Sequence, residues 1–593
     1  MKRLLLTLMA GMMLTVAEAQ KTEPMVLGEN HAMLRLSQRT KYLLLPVQEK
    51  EENANIAVLN ERNELVKRMN VRLAVDKVDY YVPYQIGSGH RLLDITFNGN
   101  RRQTGAIKDF ACWKEMKYSD TFDTTNRERF RPAYHHTPLY GWMNDPNGMF
   151  YKDGIWHLSY QYNPYGSQWE NMTWGHSTSK DLVNWEAQPL AIESDWLGTI
   201  FSGSCVTRGD EVVAIYTSAG HHQTQSIAVS KDNGLTFTKY EGNPVLTSDV
   251  PDFRDPNPFW NEDIKAWNMI LAVGQEMRIY SSPDLKEWKE ESRFGLGYGN
   301  HDGVWECPDL FKLEIGGLGD SSFSRLGKVT NIPKQPNDQT AKRPTKWVLI
   351  CNINPGGPFG GSATQYFVGQ FDGHKFTCES KPEVTKWMDY GKDHYATVSF
   401  YNAPNNRRTV LAWMSNWQYA NQVPTQQFRS ANSIARDLGL FEYKGETYVS
   451  VVPSEEMLAA RGAKVKQPTE ACEIVVDVKD QAEIVLSNAK GEQVTMTYNA
   501  AKQTFGMDRT KSGDVSFSEA FPCVTEAPTY GKIKQLRIFI DRCSVEAFDA
   551  DGKMAMTNLV FPSEPYNNIK VKGGKAIIYS LTPSPSPKRE GSR

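Results

Sequence analysis

Beyond about residue 20 the chain alternates with period two rather than with a helical period. Leu93-Asp94-Ile95-Thr96-Phe97 and Leu536-Arg537-Ile538-Phe539-Ile540-Asp541 are examples, and such runs are short and bounded by Gly, Asn, Asp and Pro. Amphipathic helical stretches are scarce, so the pattern predicts an all-β chain. The first nineteen residues differ. Lys2 and Arg3 precede an apolar run from Leu4 to Val16, and Ala17-Glu18-Ala19 supplies a small-x-small cleavage site, the layout of an export signal. No later apolar run approaches the ~18–20 residues of a membrane span, so an exported periplasmic or extracellular protein without a membrane span is expected.

Spacing says more than propensity. A turn signature, Ser-x-Asp or Phe-Asp-Gly followed by an aromatic, recurs with its aspartates at 181, 232, 284 and 372, at intervals of 51, 52 and 88. A second series, Asp145, Ser202, Asp255, Glu306 and Asp393, runs at 57, 53, 51 and 87. Both stretch at the same place, where the Gly-, Pro- and Ser-rich segment 316–346 reads as one inserted surface loop. With that insertion removed the period returns to about 52 residues, the length of a four-stranded propeller blade. Five landmarks imply a five-bladed β-propeller over 131–450. A small β domain over 20–130 would precede it, a C-terminal β-sandwich over 451–583 would follow, and residues 584–593 read as a low-complexity tail. In a propeller the innermost strands converge on one axis, so Asp145, Asp255 and Glu306 would face one funnel.

Composition narrows the function. The 593 residues are too many for one core, and 67 Lys plus Arg against 69 Asp plus Glu leave a net charge of −2, without the basic excess that a nucleic-acid partner requires. The chain is rich in aromatics, with 15 Trp, 26 Tyr and 25 Phe, which suits both β-sheet packing and a neutral, polyhydroxylated ligand. The eight cysteines show no metal-ligand spacing and read as free thiols. His135-His136 and His221-His222 are adjacent pairs, which a strand would turn to opposite faces, so no metal site and no cofactor is expected. Cys307 lacks a base partner in sequence and reads as a packing thiol, and the sequon Asn171-Met172-Thr173 lies too near the funnel to carry a glycan.

Three carboxylates share an aromatic-x-carboxylate-Pro setting at one phase of the repeat, or close to it: Trp142-Met143-Asn144-Asp145-Pro146-Asn147-Gly148, Phe253-Arg254-Asp255-Pro256 and Trp305-Glu306-Cys307-Pro308. Singly each resembles ordinary turn chemistry, but the recurrence points to a site. From about residue 131 to 575 the sequence resembles glycoside hydrolase family 32, the β-fructofuranosidases. The three motifs are similar to that family's nucleophile, Arg-Asp-Pro and Glu-Cys motifs. Gln161, Trp169 and Phe201-Ser202 are similar to segments that line its fructosyl pocket, and Asp541-Arg542-Cys543-Ser544-Val545-Glu546-Ala547-Phe548 is similar to a segment of its sandwich.

The resemblance implies a retaining hydrolase. Asp145 would be the nucleophile, Glu306 the general acid and base, and Asp255 the acceptor of hydrogen bonds from ring hydroxyls. Asn144, Gln161, Ser202 and Arg254 would recognise hydroxyls or charge, and Trp142, Trp169, Phe201 and Trp413 would contribute to the pocket. The implied substrates are fructans, levan or inulin, with sucrose as a further candidate, attacked at the chain end because a funnel admits an end and the insertion would narrow it. Endo-cleavage, fructosyl transfer and non-catalytic fructan binding remain open alternatives.

Overall fold

The computed structural model describes residues 23–98, 107–316 and 343–581. The segments expected to be an export signal and a low-complexity tail, and the middle of the long insertion, lie outside them. Two compact units divide between Asp123 and Thr124. In the first, a five-stranded sheet orders Met25–Val26, His31–Arg35, Leu92–Phe97, Ala54–Leu59 and Leu65–Val71, and a three-stranded sheet orders Tyr80–Gln85, Tyr42–Val47 and Lys117–Ser119. Alternation builds the core of this unit: in Leu92–Phe97 every second residue, Leu93, Ile95 and Phe97, is buried. Residues 124–134 belong to the second unit. Glu128 there accepts from the backbone of Gln426 and Gln427, and Asp541 accepts from Ala133 N at 2.7 Å.

The second unit is a five-bladed β-propeller followed by a β-sandwich. Each blade begins with an inner strand, Gly141–Lys152, Thr199–Arg208, Phe253–Asn261, Val304–Glu314 or Tyr395–Ser399, and continues outward by antiparallel hairpins. Phe428–Arg429 adds a parallel strand to Gly141–Trp142, so chain from the last blade closes the ring on the first. The recurring Asp turns join third to fourth strands. Asp181 Oδ1 accepts from Val183 and Asn184 N at 3.0 and 2.7 Å, Asp284 Oδ1 from Lys286 and Glu287 N at 2.9 and 3.0 Å, and Asp372 Oδ1 from His374 and Lys375 N at 2.8 and 2.7 Å. A side chain that satisfies two turn amides fixes the hairpin, which explains the recurrence of the residue type.

In the sandwich the long strand Cys472–Ser487 is shared. Its first half pairs with Gln535–Asp541 and its second with Gln493–Asn499, across a register shift between Val478 and Glu483 against Asn568–Leu581. Ile474, Val476, Ile484, Leu486, Met496 and Ile538 are fully or almost fully buried in its core. Propeller and sandwich share a second cluster in which Phe311, Val348 and Leu438 pack with Phe539 and Phe548. A buried ionic network pins this junction. Arg436 donates to Asp389 at 2.7 Å and to Glu546, and His135 bridges Asp541 and Glu546 at 2.7 Å each. His135 is thus held by carboxylates, which push its pKa up to about 9 against the opposing effect of burial. All eight cysteines are free.

Candidate active site

The inner strand of every blade carries a β-bulge near its start. Register shifts fall at Asn144-Asp145 opposite Gln161, at Ser202 between Phe201 and Gly203, at Asp255-Pro256, at Cys307-Pro308 and at Ala396-Thr397. Asp255, Cys307 and Ala396 take positive φ, at 63°, 42° and 54°. A bulge turns side chains out of the alternating pattern: Asp145, Ser202 and Asp255 lie within bulges, and Glu306 and Tyr395 immediately precede them. These five side chains line a cavity of about 360 Å³ with Arg254, and Trp169, Phe201 and Trp417 add further aromatic surface.

Asp145 is held by its neighbours. Asn144 Nδ2 donates to Oδ1 at 3.0 Å and Ser202 Oγ to Oδ2 at 2.8 Å, while Trp142 Nε1 fixes Asn144 through Oδ1 at 2.8 Å. Asp255 Oδ2 accepts from Cys307 N at 2.8 Å, and Thr217 Oγ1 accepts from Asp255 N at 3.0 Å, so the positive φ of Cys307 serves to aim its N–H. Burial is the main cause that lifts Asp255 to a pKa of about 6. Arg254 opposes the rise and Asp145 adds to it. Glu306 accepts from Arg254 Nη2 at 2.8 Å and from the Tyr395 hydroxyl, and burial raises its pKa to about 7. Arg254 again opposes, and Asp255 and Asp145 contribute. One carboxyl thus has its pKa raised toward neutrality beside two other acids, the kind of division that acid-assisted displacement needs.

The aromatic side of the site is built in two depths. Trp169 is 40% exposed and meets Phe201 edge-on at 6.2 Å. Its loop is pinned by Asn163, whose Nδ2 donates to Gln168 O at 2.9 Å and whose Oδ1 accepts from Tyr165 N and Asn171 Nδ2 at 2.9 and 3.0 Å. Opposite expectation, Trp142 and Trp413 are both 0% exposed and do not line the cavity. Both pack against Trp417, whose ring stacks on Trp142 at 5.8 Å and packs on Trp413 at 4.8 Å, and of the three only Trp417 lines the cavity. Gln161 reaches the cavity, and its buried Nε2 has no hydrogen-bond partner, a donor suited to a ligand hydroxyl.

Sequence reasoning missed Asp252, Gln223, Asn354, Tyr395 and Trp417, all of which line the cavity. Tyr395 could have been found from the repeat. The fifth landmark was placed at Asp393, which instead sits at the sandwich junction, bonded to Arg509 and to Tyr419 OH at 2.5 Å. Two residues on, Tyr395 occupies the start of the fifth inner strand and donates to Glu306. The insertion is also corrected. Its described ends, Ile315-Gly316 and Arg343-Pro344, adjoin the far end of Val304–Glu314 from Glu306, with Gly316 N bonded to Leu440 O at 2.9 Å, so its anchors give no ground for a narrower funnel mouth.

A five-bladed propeller whose channel mouth gathers an acid with its pKa raised to about 7, two further carboxylates and aromatic side chains defines a glycoside hydrolase. Residues 135–451 match the model of the glycosyl hydrolases family 32 N-terminal domain and residues 446–583 that of its C-terminal domain, so the chain belongs to glycoside hydrolase family 32. Residues 28–134 match a domain of unknown function. The chain is 42% identical over 508 residues to the levanase of Bacillus subtilis, covering 78% of this chain and 72% of that protein. It is 36% identical over 507 residues to the extracellular exo-inulinase of Aspergillus niger, covering 73% and 90%. The crystal structure of exo-inulinase from Aspergillus awamori superposes with a TM-score of 0.68 at 32% identity, over 78% of this chain and 99% of that one.

Proposed function

We propose that this protein is an exo-acting β-fructosidase that releases terminal fructose from levan or inulin, and fructose from sucrose, with retention of configuration. The observation that carries the reading is the shared cavity of Asp145, Asp255 and Glu306, in which burial raises the Glu306 pKa to about 7. Levanase and exo-inulinase relatives support the substrate class. Asp145, oriented by Asn144 and Ser202, attacks the anomeric carbon while Glu306 gives its proton to the departing oxygen. The oxocarbenium-like state bears positive charge on the ring, next to the carboxylate of Asp145. Asp255 accepts from ring hydroxyls whose acidity rises in that state, so its contacts tighten there. The covalent fructosyl ester on Asp145 is then opened by water, from which Glu306, now ionised, takes a proton. Fructose leaves, and the enzyme returns to its starting state.

A cavity of about 360 Å³ lies at the small end of ligand sites, with room for a terminal ring and part of its neighbour, which supports attack at a chain end. The extracellular relatives support export, and among the described residues no helix is long and apolar enough to cross a membrane. The test is incubation with sucrose, inulin and levan and chromatography of early products. Free fructose with little fall in polymer length is expected. Early oligosaccharides and a rapid fall in polymer length would refute exo-attack, and fructosylated acceptors in place of free fructose would identify a transferase.

A further inference from the structure

The carboxylates sit near the starts of the inner strands, so every connection from an outer strand to the next inner strand arrives at the same rim. The connection from Trp185–Ile192 to Thr199–Arg208 carries the most exposed tryptophan of the described residues, Trp196, at 84%. Nothing in the catalytic cavity uses it. An exposed apolar side chain is common on its own, but this one is held out on a braced tip. Asp195 and Gly198 close a two-residue turn around Trp196-Leu197 by backbone bonds of 3.2 and 3.1 Å, and Asp195 Oδ1 accepts from Leu197 N at 2.8 Å. Lys239 ties the tip to the second blade through Asp195 Oδ2 at 2.7 Å and through the Glu193 carbonyl.

The other side of the tip is fixed by two glycines. A Cβ on Gly198, at φ +125°, would stand 2.3 Å from Ala219 O, and one on Gly220 would stand 2.4 Å from Leu197 O. The tip and the turn after Glu211–Ala219 are thus packed backbone to backbone, and that turn leads into Gln223, which lines the cavity. Five residues after Trp196, Phe201 lines it too, at most about 18 Å along the chain. Trp169, on the neighbouring loop of the first blade, meets Phe201 from the same rim.

We propose that Trp196 is an outer sugar-binding subsite, a flat platform on which a fructosyl unit of a neutral β-fructan chain stacks while the chain end occupies the catalytic cavity. The inference rests on the reading of this chain as an exo-fructosidase. The indole offers an apolar face to the C–H side of a sugar ring and needs no charge on the ligand, and the backbone turn that carries it is already braced, so little backbone entropy is lost on engagement. Sucrose is too short to reach beyond the cavity and its mouth, whereas a polymer is not. The subsite therefore sets preference for long over short substrates.

The test is kcat/KM of the full-length protein on sucrose and on long-chain inulin and levan, for wild type, Trp196→Ala and Trp196→Phe. For Trp196→Ala the ratio of polymer to sucrose kcat/KM should fall about tenfold on at least one fructan, equivalent to about 1.4 kcal/mol, mainly through KM. Trp196→Phe should retain part of the preference. Equal ratios in wild type and Trp196→Ala, or a loss shared equally by sucrose and polymer, would overturn the subsite while the functional reading stands. A wild type that released fructose from none of the substrates would overturn the functional reading, and the subsite with it.

Discussion

Arg254 holds Glu306 below the pKa that burial alone would give it. Its Nη2 lies 2.8 Å from Glu306 Oε1, its Nε 3.9 Å from Asp255 Oδ2, and its Nη1 also pairs with Asp252. Replacing it with Met keeps much of the side-chain volume and removes the charge. A unit pair at about 4 Å and an effective dielectric of about 20 interacts by about 4 kcal/mol, or about three pKa units at 1.36 kcal/mol each. Asp252 and Asp255 take part of the guanidinium's field, so about one to two units should be felt at Glu306. The sign follows from which form the cation favours. Arg254 stabilises the carboxylate and so lowers the pKa, and its removal must raise it. With Glu306 at about 7 in the intact site, the alkaline limb of kcat/KM on sucrose should lie near 7 and move to about 8–9 in Arg254→Met. Asp255 should rise in parallel from about 6, carrying the acid limb upward, with both limbs belonging to the coupled cluster. The rate at the optimum will also fall, but the position of the limbs is a separate readout. The assay is initial-rate release of fructose across pH 4 to 10. An alkaline limb that stayed within about 0.3 unit of wild type, or moved down, would refute this account of Glu306.

Glu306→Gln should lower kcat/KM on sucrose by about 10²–10⁴, the usual contribution of a general acid, and by much less on an aryl fructoside whose phenolate departs unprotonated. Equal losses on both would remove Glu306 from the acid role. Asp145→Asn should abolish turnover while circular dichroism and melting temperature stay close to wild type, because only the nucleophilic charge is lost. Wild-type activity in this variant would reassign the nucleophile. At the propeller–sandwich junction the pKa of His135 is raised to about 9 in the folded state, so its stabilisation is present below the unfolded value of about 6.5 and is lost as pH rises through 9. Urea midpoints should fall across that window and fall less in His135→Gln, and identical pH slopes in the two proteins would contradict the assignment.

The repeat of about 52 residues was legible because blade length and turn chemistry are local: an Asp that accepts from turn amides after a third strand leaves its mark in four of the five blades. The three carboxylates were legible for the same reason, each being tied to a bulge at one phase of the repeat. Depth was not legible. Trp142, Trp413 and Trp417 are alike as letters, and only packing shows that the first two support the third. Nor was the bulge itself, since a register shift is a relation between two strands, which is why the fifth position was read at Asp393 rather than Tyr395. The insertion was found correctly as a break in period, but which end of a strand it leaves from depends on strand direction. That direction places its anchors away from the carboxylates. The hydrogen bond from Cys307 N to Asp255 was hidden as well, because a main-chain donor has no signature in sequence apart from the strain it requires.

The central claim is a double displacement through Asp145, and the configuration of the first product tests it most directly. Sucrose hydrolysis followed by nuclear magnetic resonance, at enzyme levels high enough that release outruns mutarotation, reports the anomer of fructose as it leaves the site. Two displacements at one carbon restore the starting configuration, so β-fructofuranose should appear first and the other forms should grow in later. First appearance of the α anomer would mean a single attack by water, and Asp145 would then be a base rather than a nucleophile.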